Sequence, residues 1–194
     1  KLNAKKVLCG FNFTFGKGKS GNPEILKEIL EKNRIELEVQ KAVFDDNLEV
    51  ISSTNIRKHI KETNLEKVKK LLGHNLIILG KVIHGKQIGR TIGFPTANLK
   101  FENRVYPSFG VYGVKIYFYE KGILKTYTGV MNIGRNPTVD KDNLSVETHI
   151  FDFDKDIYHL PVRVKWLKYL RPELKFDGIE ALIDQLKQDE ENTR

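Results

Sequence analysis

The spacing of apolar residues changes near residue 75, from a mixture of strand-like and helical periods to a period of two. In the first part, a strand-like run from Lys6 leads through a glycine-rich loop to a helical stripe that begins at Pro23. A short β-rich run over residues 40–44 follows, and then two further helical stripes, of which the second ends at Gly73. Alternating strands and helices favour a parallel α/β unit.

From about residue 76 the pattern is typical of short antiparallel strands. Apolar and aromatic residues alternate with polar ones in five runs, over residues 76–84, 111–119, 123–132, 145–153 and 161–169. A turn at residues 120–122 joins two of these runs as a hairpin, and a helical stripe closes the chain, with Asp177 placed to cap it. Five or six such strands predict a small antiparallel barrel or sandwich with a C-terminal helix.

Composition and charge narrow the class of protein only slightly. The 194 residues include 33 basic and 25 acidic side chains, and this excess is spread over both parts, so it gives little support to a nucleic-acid-binding barrel. The single cysteine, Cys9, excludes an internal disulfide framework, and the histidines lack the spacing of zinc ligands. We expect a cytoplasmic protein, because the sequence contains neither a signal peptide nor a membrane-spanning run. Because the first residue is Lys1, we also expect a segment upstream of it.

A segment of small and polar residues, GFPTANL at 93–99, lies among the strand-like runs. Thr96 and Asn98 are two residues apart, so in an extended backbone their side chains point to the same face. Their neutral oxygens could complete the shell of a Mg²⁺ ion that is also bound by nucleotide phosphates. The alternative is a turn in which both side chains bond to the local backbone.

The preceding stretch, HGKQIGRTIG at 84–93, combines glycines with basic residues. Glycines such as Gly85 let a backbone approach phosphates, and cations such as Arg90 offset their charge. The stretch is not a P-loop, because Gln87 stands where that motif requires Ser or Thr. A solvated hairpin is the alternative interpretation.

Three further places carry groups that suit catalysis or ligand binding. Glu147 lies within a strand-like run, where its carboxylate is either solvated or set into a pocket as a general base. Arg171 precedes a proline after the last run, and it either solvates a loop or reaches a ligand. The stretch ISSTNIR surrounds a helix N terminus that binds phosphate or is simply capped, and its polar residues are Ser52, Ser53, Thr54 and Arg57.

Several of these motifs occur together and in a characteristic order. The stretches GKVIHGKQIGRTIGFPTANL, GVYGV, TGVMNIGRNPTV, SVETHIFDF and YLRPELKFDGIEALIDQL follow one another between residues 76 and 190. This part of the chain closely resembles the riboflavin kinase domain of bacterial bifunctional riboflavin kinase/FAD synthetases. Through FNFTFGKGKSGN and ISSTNIR, the first part resembles the C-terminal remainder of the nucleotidyltransferase domain of the same family.

The resemblance implies a fold and a reaction. The fold would be a six-stranded antiparallel Greek-key barrel with a C-terminal helix over residues 76–194, preceded by a partial Rossmann-like α/β domain over residues 1–75. The reaction would be the transfer of a phosphoryl group from ATP to riboflavin, giving FMN and ADP. Nucleic acid and membrane would not be partners, and the oligomeric state stays open. The alternative is a flavin- or nucleotide-binding barrel without catalysis.

The resemblance also implies roles for individual residues. Thr96 and Asn98 would bind ATP and hold Mg²⁺, or alternatively Zn²⁺ or Mn²⁺, while Gly85 and Arg90 would contact the nucleotide. Glu147 would be the catalytic base. The flavin would be bound by Arg171 and Phe176, and nucleotide in the partial first domain by Ser52, Ser53, Thr54 and Arg57. The full-length parent would also adenylylate FMN, but this fragment would not, because the family's His-x-Gly-His motif is absent from it.

Overall fold

The structure, a computed structural model, describes residues 3–85, 89, 93–102, 105–135 and 144–194. They form two compact units, Lys1–Ser52 and Ser53–Arg194. This division lies before the domain boundary predicted at residue 75, because the two helices that follow Ser52 contribute Ile60 and Val68 to the apolar core of the second unit. The predicted boundary concerns the domains of the family and stays a prediction. No helix among these described residues is long and apolar enough to cross a membrane.

The first unit is a small α/β arrangement, as predicted. It contains β1 (Lys6–Gly10), a 3₁₀ turn (Lys17–Lys19), α1 (Pro23–Lys32) and β2 (Glu36–Gln40). The two strands pair in parallel, with Lys6 opposite Glu36. Asn22 caps α1, because its side chain accepts a hydrogen bond of 3.0 Å from the backbone N–H of Ile25.

The position predicted for the second strand was wrong. The strand occupies Glu36–Gln40 rather than residues 40–44. Lys6 Nζ lies 3.1 Å from Glu36 Oε1 and 2.7 Å from Glu38 Oε2, so the pairing puts these opposite charges on one face of the sheet. The carboxylates also raise the pKa of Lys6, first through the hydrogen bond to Glu38, which keeps the ammonium charged.

The second unit is built around a closed barrel. Its elements are α2 (Ser53–Lys61), α3 (Leu65–Leu72), β3 (Ile77–Ile83), β4 (Thr96–Phe101), β5 (Gly110–Glu120), β6 (Ile123–Arg135), β7 (Leu144–Ile150), β8 (Pro161–Arg171) and α4 (Ile179–Thr193). The strands close in the order β3-β4-β7-β6-β5-β8, and every described pairing is antiparallel. Three consecutive strands, β5 to β7, form a meander, and β8 returns beside β5, which is a Greek-key course. The predicted barrel is confirmed.

Buried apolar side chains alternate with more exposed ones along the strands, and the buried side chains fill the barrel. The side chains on one face of β5 and one face of β8 are all at most 2% exposed; they are Val114, Ile116 and Phe118, and Val162, Val164 and Trp166. Trp166 and Tyr112 are fully buried and contact each other edge to face, with ring centroids 4.9 Å apart. The predicted hairpin turn is also confirmed: Lys121 and Gly122 have φ angles of 48° and 80°, as the mirror-image turns of two-residue hairpins require.

Two local features differ from the predictions. The sequence runs did not include β4, whose residues Thr-Ala-Asn-Leu-Lys-Phe are too small and polar to resemble a strand. Asp177 does not cap α4. The cap position is Gly178, which has an extended conformation and makes no side-chain hydrogen bond. The helix therefore starts at Ile179, one residue later than it would if Asp177 were the cap.

Candidate active site

The pairing of β4 with β7 brings predicted site residues together. Thr96 lies opposite His149, and Asn98 lies opposite Glu147. Directly opposed residues of an antiparallel pair have Cβ atoms about 5 Å apart, so the amide and the carboxylate are neighbours. Val146 and Thr148 are buried inside the barrel, whereas Glu147 is exposed, so this group of side chains lies on the outer face.

The segment before β4 packs closely against these side chains. A Cβ atom at Gly85 would overlap the amide of Asn98, and one at Gly89 would overlap the carbonyl oxygen of Phe94. The N–H of Phe94 also donates a hydrogen bond of 2.9 Å to the carbonyl of Gly89. Only glycine fits at these two positions, which explains part of the glycine-rich pattern. Arg90, the predicted phosphate contact, lies outside the described residues.

His149 helps to hold the start of β4. Its Nδ1 donates a hydrogen bond of 2.9 Å to the carbonyl of Pro95, and its ring contacts Phe94 edge to face at 5.1 Å between centroids. The proline and the phenylalanine of the GFPTANL stretch are thereby tied to β7. Thr96 is the next residue, and it lies opposite His149, two positions along β7 from Glu147.

A cavity of about 460 Å³ opens at one mouth of the barrel. It lies between β3, β4 and β7 and the segment 153–158, and its lining includes Val82, Thr96, Ala97, Thr148, Ile150, Phe153, Asp154, Lys155, Asp156 and Tyr158. The ring of His84 stacks on Tyr158 with 3.9 Å between centroids. Glu120 accepts a hydrogen bond of 2.9 Å from Lys155 and raises the pKa of Lys155, so the ammonium stays charged beside the carboxylates of Asp154 and Asp156.

A second cavity, of about 380 Å³, lies on the outer face of the barrel. It is bounded by β5, β6 and β7, by the segment that follows β8 and by α4; its lining includes Thr96, Val111, Val130, Asn132, Glu147, His149, Arg171, Phe176, Leu182 and Leu186. Both volumes fall in the range of small-molecule sites, about 300–1,000 Å³. Thr96 lines both cavities, so the two lie side by side.

Arg171 is held by a buried carboxylate of α4. Its Nε lies 3.0 Å from Asp189 Oδ1, and its terminal Nη2 lies 2.7 Å from Asp189 Oδ2. The side chain of Asp189 is only 2% exposed and that of Arg171 only 14%. The guanidinium also lies over the ring of Phe176 at 5.8 Å. Arg171 and Phe176, both predicted to bind flavin, are thus in contact and share one wall of the outer cavity.

The residues predicted at the ISSTNIR stretch lie elsewhere. Ser53, Thr54 and Arg57 are exposed on the first turns of α2, and Ser52 precedes them. None of the four lines either cavity. Their predicted role in binding a nucleotide stays a prediction, separate from the site between β4 and β7.

Comparison with known proteins is decisive for the family. A model described as riboflavin kinase matches residues 72–194, more than half of the chain. The chain belongs to the riboflavin kinase family. A second model, described as FAD synthetase, matches residues 1–55. The resemblance stated from the sequence motifs is therefore confirmed for both parts of the chain.

Individual relatives agree with this assignment. A bifunctional riboflavin kinase/FMN adenylyltransferase from Listeria monocytogenes is 42% identical over 100% of this chain and 60% of its own length. The protein of the same name from Bacillus subtilis is 36% identical over 98% of this chain and 60% of its own length. A solved structure named as a macrolide-efflux protein from Streptococcus pneumoniae is 41% identical, with a TM-score of 0.83 over 99% of this chain and 60% of that one. The chain thus spans about 60% of the length of these relatives.

Three residues that sequence reasoning did not select belong to the lining of the cavities. They are Thr148, Asn132 and Asp189. For Asp189 a signal existed, because it continues the helical stripe of Leu182 and Leu186 at the next turn, but an acid within Gln-Asp-Glu-Glu resembles a solvated residue. Asn132 and Thr148 gave no signal, because their importance depends on which strands become neighbours.

Proposed function

We propose that the chain transfers the γ-phosphoryl group of ATP to the 5′-hydroxyl of riboflavin, giving FMN and ADP. The observation that carries this proposal is that Thr96 lines two adjoining cavities of small-molecule size and that Glu147 lines one of them. Two substrates that exchange a group need adjoining sites with a base at the junction. Membership of the riboflavin kinase family supplies the identity of the substrates.

We assign the barrel-mouth cavity to ATP and the outer cavity to riboflavin. Lys155 and Thr96 line the mouth cavity beside Asp154 and Asp156, and Gly85 packs against Asn98 of β4. A cation and close-packed glycines suit a phosphate chain. The outer cavity has mostly apolar walls and an arginine stacked near Phe176, which suits a flat aromatic ring system with a polar edge.

The side chains at the start of β4 fit Mg²⁺ when phosphates complete its shell. Thr96 and Asn98 offer neutral oxygens, which are hard ligands but too few to bind the ion alone. Among the described residues there is no group of three or more His, Cys, Asp or Glu that would form a metal site by itself. We propose that Thr96 and Asn98 hold Mg²⁺ against the ATP phosphates. When bound, the ion neutralises charge on those phosphates, and oxygen ligands favour it over Zn²⁺.

We propose that Glu147 is the general base. Its carboxylate accepts the proton of the riboflavin 5′-hydroxyl while that oxygen forms a bond to the γ-phosphorus. The bond between the γ-phosphorus and the bridging oxygen breaks, and ADP leaves with the electron pair. The hydroxyl of Ser145 donates a hydrogen bond of 3.2 Å to Glu147 Oε1 and orients the carboxylate. Because Glu147 is exposed, its proton returns to water after the product leaves.

A kinase assay with Glu147→Gln tests this role. The substitution keeps the size of the side chain but removes the base, so we expect kcat for FMN formation to fall by about 10²- to 10⁴-fold with little change in KM. The matched control is Glu180→Gln, an exposed carboxylate on α4 that lines neither cavity, and it should retain full activity. A Glu147→Gln variant as fast as the unchanged chain would contradict the assignment.

The same assay separates catalysis from simple binding. A flavin- or nucleotide-binding barrel without catalysis would bind riboflavin and ATP but form no FMN.

We propose that the kinase acts in the cytoplasm, where ATP is present and where the free thiol of Cys9 stays reduced. We propose no nucleic-acid partner, since the positive charge is not concentrated in either part of the chain.

A further inference from the structure

Asn132 is placed beside the proposed base but has no assigned role. It lies on β6 directly opposite Glu147 of β7, and it lines the outer cavity. Its Oδ1 atom is buried, and it accepts no hydrogen bond from the residues that the structure describes. A buried acceptor without a donor is costly, so its presence in a cavity indicates that a ligand supplies the donor.

The orientation of this amide is set by a second carboxylate. Asn132 Nδ2 lies 3.4 Å from Glu173 Oε1, in the segment that follows β8. An ionised carboxylate only accepts hydrogen bonds, so the NH₂ group must face Glu173 and the oxygen must point away from it. Gly134 makes room for this contact, because a Cβ atom there would overlap the Glu173 carboxylate.

We propose that Asn132 is a riboflavin-binding residue whose Oδ1 accepts a hydrogen bond from a hydroxyl of the ribityl chain. This inference rests on the proposed function. Riboflavin carries hydroxyl donors along its ribityl chain and a single N–H donor on its ring. Cβ atoms of opposed residues such as Asn132 and Glu147 are about 5 Å apart. With the 5′-hydroxyl at Glu147, a hydroxyl farther along the ribityl chain therefore comes to Asn132 Oδ1, while the ring extends towards Phe176.

Two ligands that share one ring system test this contact. Lumiflavin has the isoalloxazine ring of riboflavin with a methyl group in place of the ribityl chain. We expect Asn132→Ala to raise the Kd for riboflavin about tenfold, the loss of one buried hydrogen bond, and to leave the Kd for lumiflavin unchanged. Both constants are measured by quenching of flavin fluorescence, with the complete 194-residue chain.

Two further variants separate this contact from other effects. Glu173→Ala removes the carboxylate that orients the amide but keeps Oδ1, so it should change the ratio of the two Kd values in the same direction as Asn132→Ala, but by less. Thr126→Ala changes an exposed side chain of β6 outside the cavity and should leave the ratio as it is in the unchanged chain. Thermal unfolding of each variant checks that the barrel is folded.

The outcomes are distinct. An Asn132→Ala variant that weakens both ligands equally would assign the contact to the ring and overturn the inference. A ratio of the two Kd values that stays unchanged in Asn132→Ala, or that changes as much in Thr126→Ala, would also overturn it. In either case FMN formation by the unchanged chain would leave the proposed function intact. If the unchanged chain formed no FMN, the proposed function itself would fail, and this inference with it.

Discussion

In the proposed reaction, the chemistry is divided between one carboxylate and a few neutral side chains. Glu147 takes the proton, and Thr96 and Asn98 hold the ion that offsets the charge of the phosphates. None of these side chains is deeply buried, since Glu147 is exposed and the other two are half-buried. Their positions instead come from strand pairing, which keeps opposed side chains at a fixed separation without a buried charge.

Thr96→Ala should therefore affect catalysis much more than folding. Loss of one oxygen that stabilises the phosphates should lower kcat/KM for ATP about 100-fold and raise the Mg²⁺ concentration needed for half-maximal rate. The free energy of unfolding should fall by no more than about 1 kcal/mol, because Thr96 is half-buried and makes few core contacts. Magnesium titration in the kinase assay and urea unfolding measure the two effects.

Thr126→Ala serves as the control, as a threonine that is exposed on β6 and lines neither cavity. It should change neither the rate nor the magnesium requirement. A Thr96→Ala variant with an unaltered magnesium requirement would show that this side chain does not hold the ion.

At the residue scale, the sequence predicts which residues belong to the site better than it predicts which residues lie opposite them. Thr96, Asn98 and Glu147 were selected from motifs, and the structure brings them together. Asn132 was missed because an asparagine within a strand has no significance until β6 is known to neighbour β7. The pattern along β6 alone does not show which residue of β7 lies opposite Asn132, because that depends on the pairing of the two strands.

Among elements, α4 and the segment after β8 act as one wall of the outer cavity. Arg171 at the end of β8 donates to both oxygens of Asp189 near the end of α4. Gln185, one turn before Asp189, adds a hydrogen bond of 3.1 Å to the same carboxylate. The fork of the guanidinium fits the carboxylate closely, which fixes the direction of the segment that carries Phe176.

Asp189→Ala should loosen this wall. Removing one member of a buried pair leaves the other charge unpaired, so we expect the free energy of unfolding to fall by about 3 kcal/mol. The KM for riboflavin should rise while the KM for ATP stays constant, because only the outer cavity contains this pair. Steady-state kinetics with each substrate varied in turn, together with urea unfolding, check both statements.

Asp184→Ala is the matched control on the same helix. Its carboxylate is 80% exposed, and its nearest cation, Lys187, is 3.9 Å away and also exposed. Such surface pairs contribute little, so both stability and KM should be unchanged. Equal rises in the KM values of the two substrates for Asp189→Ala would indicate general disruption rather than loss of this wall.

The sequence predicted most elements but not every boundary. Strands with alternating apolar residues, such as β5 and β8, were predicted because one face of each is buried in the barrel. β4 was missed because its role is to present Thr96 and Asn98, and residues chosen for binding weaken the strand pattern. β2 was misplaced because its charged residues Glu36 and Glu38 weaken the strand pattern, and because the strand depends on pairing with β1, which is distant in sequence.

For the second unit as a whole, stability depends on a barrel interior that is closed by aromatic packing. Tyr112 is fully buried between Trp166 and Tyr169, with its hydroxyl donating to the carbonyl of Ser108. Burial, and secondarily the proximity of Tyr169, raises the pKa of Tyr112 well above its usual range. The folded barrel therefore accepts only the neutral phenol.

This shift makes the barrel sensitive to alkaline pH. The contribution of Tyr112 is fully present below the pKa of an unfolded tyrosine, about 10. Above that pH the unfolded chain releases the proton and the folded barrel does not, so stability falls with a slope that approaches about 1.4 kcal/mol for each pH unit until the folded pKa is reached. Tyr112→Phe removes this dependence, at the cost of one hydrogen bond worth about 1 kcal/mol.

We therefore expect the stability advantage of the unchanged chain over Tyr112→Phe to shrink between pH 10 and pH 11 by about 1 kcal/mol, because the unfolded tyrosine is already half ionised at pH 10. The fluorescence of Trp166, the single tryptophan of the chain, reports unfolding of the barrel in urea. Tyr119→Phe, at a position 59% exposed, is the control and should leave the pH dependence unaltered. A constant difference between the unchanged chain and Tyr112→Phe across this range would mean that water reaches the phenol, and that the barrel opens at this end without unfolding.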